Sequence, residues 1–217
     1  MNGTSGTRPL PFMTSRAGFC GVILAAGSST RMGRDKALLG WPPSGADRGT
    51  LLSAAIHAFV PFNDLVIVVA GKNADAIKPV VDACGEYLTI NPAPERGQFS
   101  SLQCGLQEVL NRGRKAAMMT LVDKPPVKAS TLEKLRTEFD AASSNGKWAV
   151  VPEYGGRHGH PILIGREMIE AFLRAPATSN AREVQHQHQS HIQYVAVDDP
   201  GTTMNLNTPE EYARLIS

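Results

Sequence analysis

Three cations, Arg31, Arg34 and Lys36, follow directly on a run of small and hydroxyl residues, Gly27-Ser28-Ser29-Thr30. Glycine there permits a tight turn, and the hydroxyls can bond backbone or ligand. The apolar run from Phe19 to Ala26 that leads into the turn reads as a buried strand. A strand end that presents backbone N–H groups and positive charge at one point suits a polyphosphate. Two familiar phosphate loops are excluded by spacing. The P-loop requires G-x-x-x-x-G-K-[ST], with four residues between its glycines, whereas Gly27 and Gly33 are separated by five and Arg34 follows the second glycine. The dinucleotide fingerprint G-x-G-x-x-G is absent from the same stretch.

A second chemical group stands at Asp123, at the end of the hydrophobic stretch TLVD. A lone carboxylate there can hold a hard cation over a phosphate, because magnesium takes one or two protein carboxylates and completes its shell with water and substrate. The same short side chain also suits a turn that caps the next element. His186, His188 and His191 lie in QHQHQSH. Positions 186 and 188 do not share a helical face, so the stretch reads as solvated and polar. Tyr154, Arg157 and His158 sit on a glycine-rich loop that can meet an anionic acceptor.

Composition narrows the class. With 217 residues and 42% hydrophobic content, the chain can bury a full core, and its length suits one α/β domain, residues 18–217. Residues 1–17, rich in Gly, Ser, Thr and Pro, read as a flexible tail without the apolar core of a secretory signal. Twenty-two basic against 20 acidic residues leave a net charge of +2, which makes no broad electrostatic case for nucleic acid. No stretch approaches the roughly 20 apolar residues of a membrane span. Cys20, Cys84 and Cys104 are far apart and lack C-x-x-C spacing, as expected of reduced thiols in a cytoplasmic protein.

The elements that must position these groups follow from periodicity. Continuous apolar runs predict buried strands at Leu65–Ala70 and Ala116–Val122, with shorter ones at Tyr87–Ile90 and Ile192–Val197. Strands at Lys147–Pro152 and His160–Ile164, joined by Glu153–Gly159, suggest a hairpin. Thr50 caps a helix through Phe59. Further helices are predicted over Ala74–Ala83, from Phe99 to Leu110, over Thr131–Ala142 and Arg166–Arg174, and around Asn180–His188. Pro42 to Gly49 reads as loop only. Asn207-Thr208-Pro209-Glu210 opens a last helix, with a glutamate three positions after its cap. Strands alternating with helices predict a mostly parallel sheet covered on both faces. Ligands of such sheets bind beyond the carboxyl ends of the strands, so the loops after Ala26, Ile90 and Val122 should converge.

Taken whole, Leu24 to Lys36 reads L-A-A-G-x-S-x-R-M-G-x-x-K. In this form the chain resembles the MobA-like nucleotidyltransferases of the molybdenum cofactor family, most closely the cytidylyltransferase branch, over roughly residues 20 to 216. The resemblance implies a three-layer α/β fold, a mostly parallel sheet with helices on both faces, of the nucleotide-diphospho-sugar transferase (GT-A-like) kind. It implies that Leu24, Ala25, Ala26, Gly27, Ser28, Ser29, Arg31 and Lys36 hold the triphosphate, and that Arg31, Lys36 and Asp123 are catalytic. Asn91, Gly97 and Ser101, in a segment similar to the family's N-x-x-x-x-G-x-x-x-S-L, would contact base and ribose. Ser100 and Ser101 serve equally as helix caps.

Mg2+ would be held by Asp123 and by Asn205 of N-L-N-T-P-E-E-Y, which is similar to the family's D-I-D-T-P-E-D-Y or N-I-N-T-P-E-D-L, the cytidylyl branch commonly having Asp. Strand alternation would point Asn205 and Asn207 the same way, leaving the first for metal or phosphate and the second as helix cap. Asp123-Lys124-Pro125 departs from the usual D-Q-P, and Lys124 either touches the acceptor or points outward. Gly159-His160-Pro161 matches a G-H-P near the acceptor, and His160 either orients that substrate or is a strand histidine satisfied by backbone. In the family L-A-A-G goes with cytosine and L-A-G-G with guanine. The Ala26 methyl would narrow the slot for a purine and favour CTP. The implied reaction is transfer of CMP from CTP to a phosphorylated acceptor such as molybdopterin, with no nucleic-acid or membrane partner. A sugar- or polyol-phosphate acceptor, or a non-catalytic nucleotide-binding regulator, stays open. A glycosyltransferase of related fold would show D-x-D, which the chain lacks at Asp123.

Overall fold

The computed structural model describes residues 18–27, 33–42, 49–176 and 178–213. The tail at 1–17, most of the loop after Trp41, and Ser28, Ser29 and Arg31 of the phosphate-loop reading lie outside the described residues.

The strand that precedes the phosphate loop, β1 (Phe19–Leu24), is buried along its whole length. It runs down the middle of the main sheet, parallel to β4 (Leu65–Ala70) on one side and β6 (Ala116–Leu121) on the other. The short strands β2 (Gly40–Trp41) and β3 (Gly49–Thr50) lie between β1 and β4 in the chain and pair antiparallel as a separate ribbon. Gly49 was expected in loop. Its ladder with Trp41 makes it strand instead, and Thr50 beside it caps the next helix. Beyond β4 comes β5 (Tyr87–Ile90), parallel at one edge. The other half contains β7 (Ala149–Tyr154), β8 (Arg157–His158), β9 (Ile162–Gly165) and β10 (Ile192–Ala196). The order is β10-β7-β9-β6-β1-β4-β5, with β8 folded back on β7. The reversed strand β9 is antiparallel to both β6 and β7, while β10 is parallel to β7.

The predicted hairpin is real but tighter than expected. Gly155 and Gly156 have φ of 57° and 72°, so β7 turns directly into β8, and β9 starts at Ile162 rather than at His160. Two successive positive φ angles are what a two-residue hairpin turn demands.

Helices cover both faces, as alternating strands and helices require. On one face lie α1 (Leu51–Phe59), α2 (Ala74–Ala83) and α4 (Ala129–Ser144); on the other, α3 (Gln98–Asn111), α5 (Arg166–Arg174) and α6 (Ala181–Gln187). Strand side chains divide with period two. Phe19 and Ile23 join Leu52, Ile56, Ile77, Leu132 and Phe139 in one core, whereas Cys20, Val22 and Leu24 join Phe99, Leu106, Ile169 and Phe172 in the other. The predicted Thr50 cap is present as a reciprocal pair: its Oγ1 accepts from Ser53 N at 3.0 Å, and Ser53 Oγ accepts from Thr50 N at 2.8 Å. A third, small cluster of Leu39, Leu51, Leu206 and Tyr212 binds the last helix, α7 (Pro209–Ala213), to the β2–β3 ribbon.

Helix α3 approaches the sheet so closely that Gly105 has no room for a side chain. An added Cβ would sit 2.8 Å from Val69 Cγ2 and 2.9 Å from Val22 Cγ1. Gly105→Val is therefore expected to cost about 1–3 kcal/mol through overpacking, read as a lower denaturant midpoint at unchanged slope.

Candidate active site

The loops after β1, β4, β5 and β6 converge at the carboxyl end of the sheet, where ligands of parallel sheets bind. Backbone bonds set their height: Ala25 N donates to Val69 O and Asn91 N to Ala70 O, both at 2.9 Å, and Val122 N donates to Leu24 O at 3.0 Å. Between them opens a cleft of about 1130 Å³. Leu24, Ala26, Gly27, Lys36, Gly97, Ser101 and Asp123, all candidates from the sequence, line it.

At its centre the Lys36 ammonium lies 3.3 Å from Asp123 Oδ2 and donates to Asn207 Oδ1 at 2.9 Å. Lys36 reaches this point because Asp35 caps the short 3₁₀ turn Lys36–Leu38 through Ala37 N. Asp35 is held in turn by Asn73, whose Nδ2 donates to Asp35 Oδ2 at 2.6 Å and to Ala25 O at 2.9 Å, while its Oδ1 accepts from Gly71 N. Asn73 thus ties the ends of β1 and β4 to the cationic turn. Asp123 Oδ1 is buried and has no hydrogen-bond partner. A buried carboxylate oxygen left unpaired is costly, and a hard cation would remove the cost. Among the described residues no group of three His, Cys, Asp or Glu side chains could hold a metal, so this carboxylate would need a neutral oxygen and substrate to complete a shell.

The C-terminal segment meets the cleft differently from the expectation. Residues 204–207 form no strand, so alternation does not govern them. Leu206 N donates to Asp123 O at 2.8 Å, which turns Asn207 toward Lys36 and leaves Asn205 exposed. Nor is Asn207 the cap of α7. Thr208 Oγ1 accepts from Glu211 N at 3.2 Å and Glu211 Oε2 accepts from Thr208 N at 3.2 Å, a reciprocal cap one residue later than expected that leaves the Asn207 side chain for Lys36. Tyr212 fixes the segment by donating its hydroxyl to Gly40 O at 2.5 Å.

Asn91 also departs from its expected role. It is buried, with Nδ2 donating to Ser100 Oγ and Ser101 Oγ at 2.8 and 2.9 Å and Oδ1 accepting from Ala93 N. Those bonds spend it on ordering the loop, while Gly97, at a φ of 92°, and Ser101 present the loop to the cleft. Arg34 and Lys72 line the cleft as further exposed cations. The linking Asp35–Asn73 pair and Lys72 carry no sequence pattern of their own. Only the proximity of Asp35 to Lys36 and of Asn73 to a strand end hinted at them.

Beyond Asp123 lies a second polar group. Burial draws the Lys124 ammonium below its ordinary pKa, Asp123 opposes the change, and Arg157 adds to it, so the hairpin cation and Lys124 feel each other. His160 donates its backbone N–H to Thr202 O at 2.8 Å, and Gly159 lies too close to the Thr202 carbonyl to carry a Cβ. Burial first, then Lys124, pushes the imidazole down to about 4, against a backbone hydrogen bond with Met119 and the charge of Asp123. Its Nδ1 is buried with no partner. The ring is therefore a neutral imidazole near pH 7, satisfied at Met119 and unsatisfied at Nδ1. The histidine-rich stretch is not simply solvated: His191 stacks on Trp148 at 4.0 Å between ring centroids and His188 tilts against it at 5.1 Å.

Three comparisons bear on this geometry. The family model described as MobA-like NTP transferase domain matches residues 21–192. The chain is 23% identical to the molybdenum cofactor cytidylyltransferase of Escherichia coli (strain K12), covering 88% of this chain and 92% of that one. It is 27% identical to the molybdenum cofactor guanylyltransferase of Xanthomonas euvesicatoria pv. vesicatoria (strain 85-10), over 94% and 97% of the two chains. In fold it is similar to the crystal structure of Rv0371c from Mycobacterium tuberculosis H37Rv, with a TM-score of 0.73 at 24% identity over 91% and 97%. No helix among the described residues is long and apolar enough to cross a membrane.

The His160 environment has a consequence for acid stability. Its folded pKa lies below the unfolded value, so the unfolded chain binds more protons between the two, and stability falls as pH drops from about 6.5 toward about 4. His160→Gln is expected to flatten that part of a stability–pH profile measured by denaturant unfolding, whatever its effect at pH 7.5.

Proposed function

The chain belongs to the MobA-like NTP transferase family, and from that premise we propose that it is a cytoplasmic, Mg2+-dependent enzyme that transfers CMP from CTP to a phosphorylated acceptor, molybdopterin foremost. The observation that carries the reading is the meeting of Lys36, Asp123 and Asn207 at the rim of one cleft that β1, β4 and β6 all feed. The names of the two relatives support the acceptor, and they divide between cytidylyl and guanylyl transfer, so the base rests on Ala26. Gly71 backs that wall closely: a Cβ added there would lie 2.9 Å from Ala26 O and 3.2 Å from its Cβ, which leaves Ala26 little room to retreat. A slot narrowed there suits a pyrimidine better than a purine.

In this reading the triphosphate lies along the cationic wall, with Lys36, Arg34 and Lys72 facing its charge; the sequence motif assigns Arg31 the same task. Gly97 and Ser101 border the base and ribose. Asp123, whose Oδ1 lacks a partner, would hold the metal with Asn207 or Asn205 as the neutral oxygen. Magnesium there would supply Lewis-acid charge against the phosphates. An acceptor phosphate oxygen attacks the α-phosphorus in line, a new P–O bond forms, the α–β bridge breaks, and pyrophosphate leaves with the electron pair. An ionised phosphate nucleophile needs no general base, so the protein contributes position and charge. The acceptor's anionic end falls to Lys124 and Arg157, and the neutral His160 ring orients it.

Pyrophosphate release, measured with each NTP over a panel of phosphorylated acceptors with and without Mg2+, tests the reading. Turnover should favour CTP over GTP and vanish with chelator, and Asp123→Ala should lower it by about 10²–10³ while CTP still binds. Equal rates with GTP would remove the Ala26 argument. Tight CTP binding with no pyrophosphate from any acceptor would make the protein a nucleotide-binding regulator.

A further inference from the structure

We propose that Lys36 is the resident counter-ion of the Asp123–Asn207 oxygen set, so that a divalent cation joins this set only together with nucleotide phosphates that draw the ammonium away. The inference rests on the nucleotidyl-transfer reading and goes beyond it, since it assigns an order of loading.

The charges of the cluster carry the argument. Lys36 touches both side chains that offer oxygen, at 3.3 Å from Asp123 Oδ2 and 2.9 Å from Asn207 Oδ1. The Lys36 and Asp123 side chains are only 13% and 24% exposed, so water and salt screen their interaction weakly. Asparagine is neutral, and the lone carboxylate is already balanced by the ammonium. A dication arriving alone would meet a cation already against the same carboxylate, and like charges at contact distance repel strongly when half-desolvated. Among the described residues no group of three His, Cys, Asp or Glu side chains offers the ion another cage, and the nearby Glu211 carboxylate is engaged by the backbone N–H groups of Asn207 and Thr208.

A triphosphate changes the balance. It brings several negative charges and its own oxygens, and it gives the ammonium a better partner. The backbone need not move for the exchange. Asp35 and Asn73 pin the turn that carries Lys36 through bonds of 2.6 to 2.9 Å, so only the flexible lysine stem has to swing. Leu206 N on Asp123 O and the Tyr212 hydroxyl on Gly40 O hold the oxygen set in place meanwhile. Lys36 therefore acts with opposite sign on the two ligands: it opposes a bare cation and favours a phosphate-bound one.

Mn2+ titration followed by the electron paramagnetic resonance of the free ion tests this on the whole chain. Wild type without nucleotide should bind Mn2+ weakly, Lys36→Met about tenfold or more tightly, and Lys36→Met with Asp123→Asn no better than wild type. The same Lys36→Met chain should bind CTP about tenfold more weakly in metal-free buffer, an opposite change that general loosening of the fold does not produce. Lys36→Gln serves if thermal melting shows Lys36→Met to be unfolded. Equal Mn2+ affinity in wild type and Lys36→Met, with wild-type turnover still metal-dependent, overturns the loading order alone. A wild type that takes up no Mn2+ beyond that of CTP in solution overturns the metal reading of the site and the inference with it.

Discussion

An ammonium shared between a carboxylate and a carboxamide, 87 and 171 residues away in the chain, is the contact on which the rest of the site depends. A buried charge is tolerated only when paired and hydrogen-bonded, so this cluster can exist only if three chain segments arrive together. Each arrives by a different device. Lys36 is delivered by a capped turn, Asp123 by the end of a central strand, and Asn207 by a helix start docked on that strand's own backbone. Much of the smaller architecture follows from keeping these three in register. The third hydrophobic cluster, the β2–β3 ribbon and the Tyr212 hydroxyl all bind the C-terminal segment to the turn that bears Lys36.

The parallel sheet supplies the platform. Successive strands end at one rim, and backbone bonds from Ala25, Asn91 and Val122 to neighbouring strands carry the ladder one residue past the strands into the loops. The rim is rigid where chemistry needs position and open where a ligand must enter. Reversal of β9 between β6 and β7 then separates the two halves of the site. The cleft lies over the parallel strands, while Lys124, Arg157 and His160 gather on the side of the reversed strand and its hairpin. The proposed transfer between two substrates would use such a division, with the Asp123 carboxylate between them.

Electrostatics on the two sides are opposite in character. The cleft wall keeps Arg34 and Lys72 in water, where they can meet a highly charged ligand without a desolvation cost. On the far side Arg157 is exposed, but Lys124 and His160 are withdrawn from water. Burial lowers the pKa of Lys124 and holds His160 neutral, leaving a polar nitrogen without a partner. Unsatisfied buried atoms are rare in folded proteins, and this site has two of them, Asp123 Oδ1 and His160 Nδ1. Both are satisfied most simply by something that binds.

By itself, the sequence determined the sheet, its covering helices, the rim where the strand-end loops converge and the lone acid on it, because hydrophobic periodicity and strand-end chemistry are local properties. Leu65–Ala70, Tyr87–Ile90 and Arg166–Arg174 have the bounds that periodicity predicted. Tertiary structure alone decided which polar side chain faces which. Asn205 and Asn207 are equivalent by type and spacing, and only the docking of Leu206 on Asp123 turns one to the lysine and the other to solvent. Asn91 looked like a ligand group until its loop closed around it, and Asp35 and Asn73 had no pattern until β1 and β4 brought them within 2.6 Å. Contacts between residues far apart in the chain leave no periodicity to read, so their outcome waits on the fold.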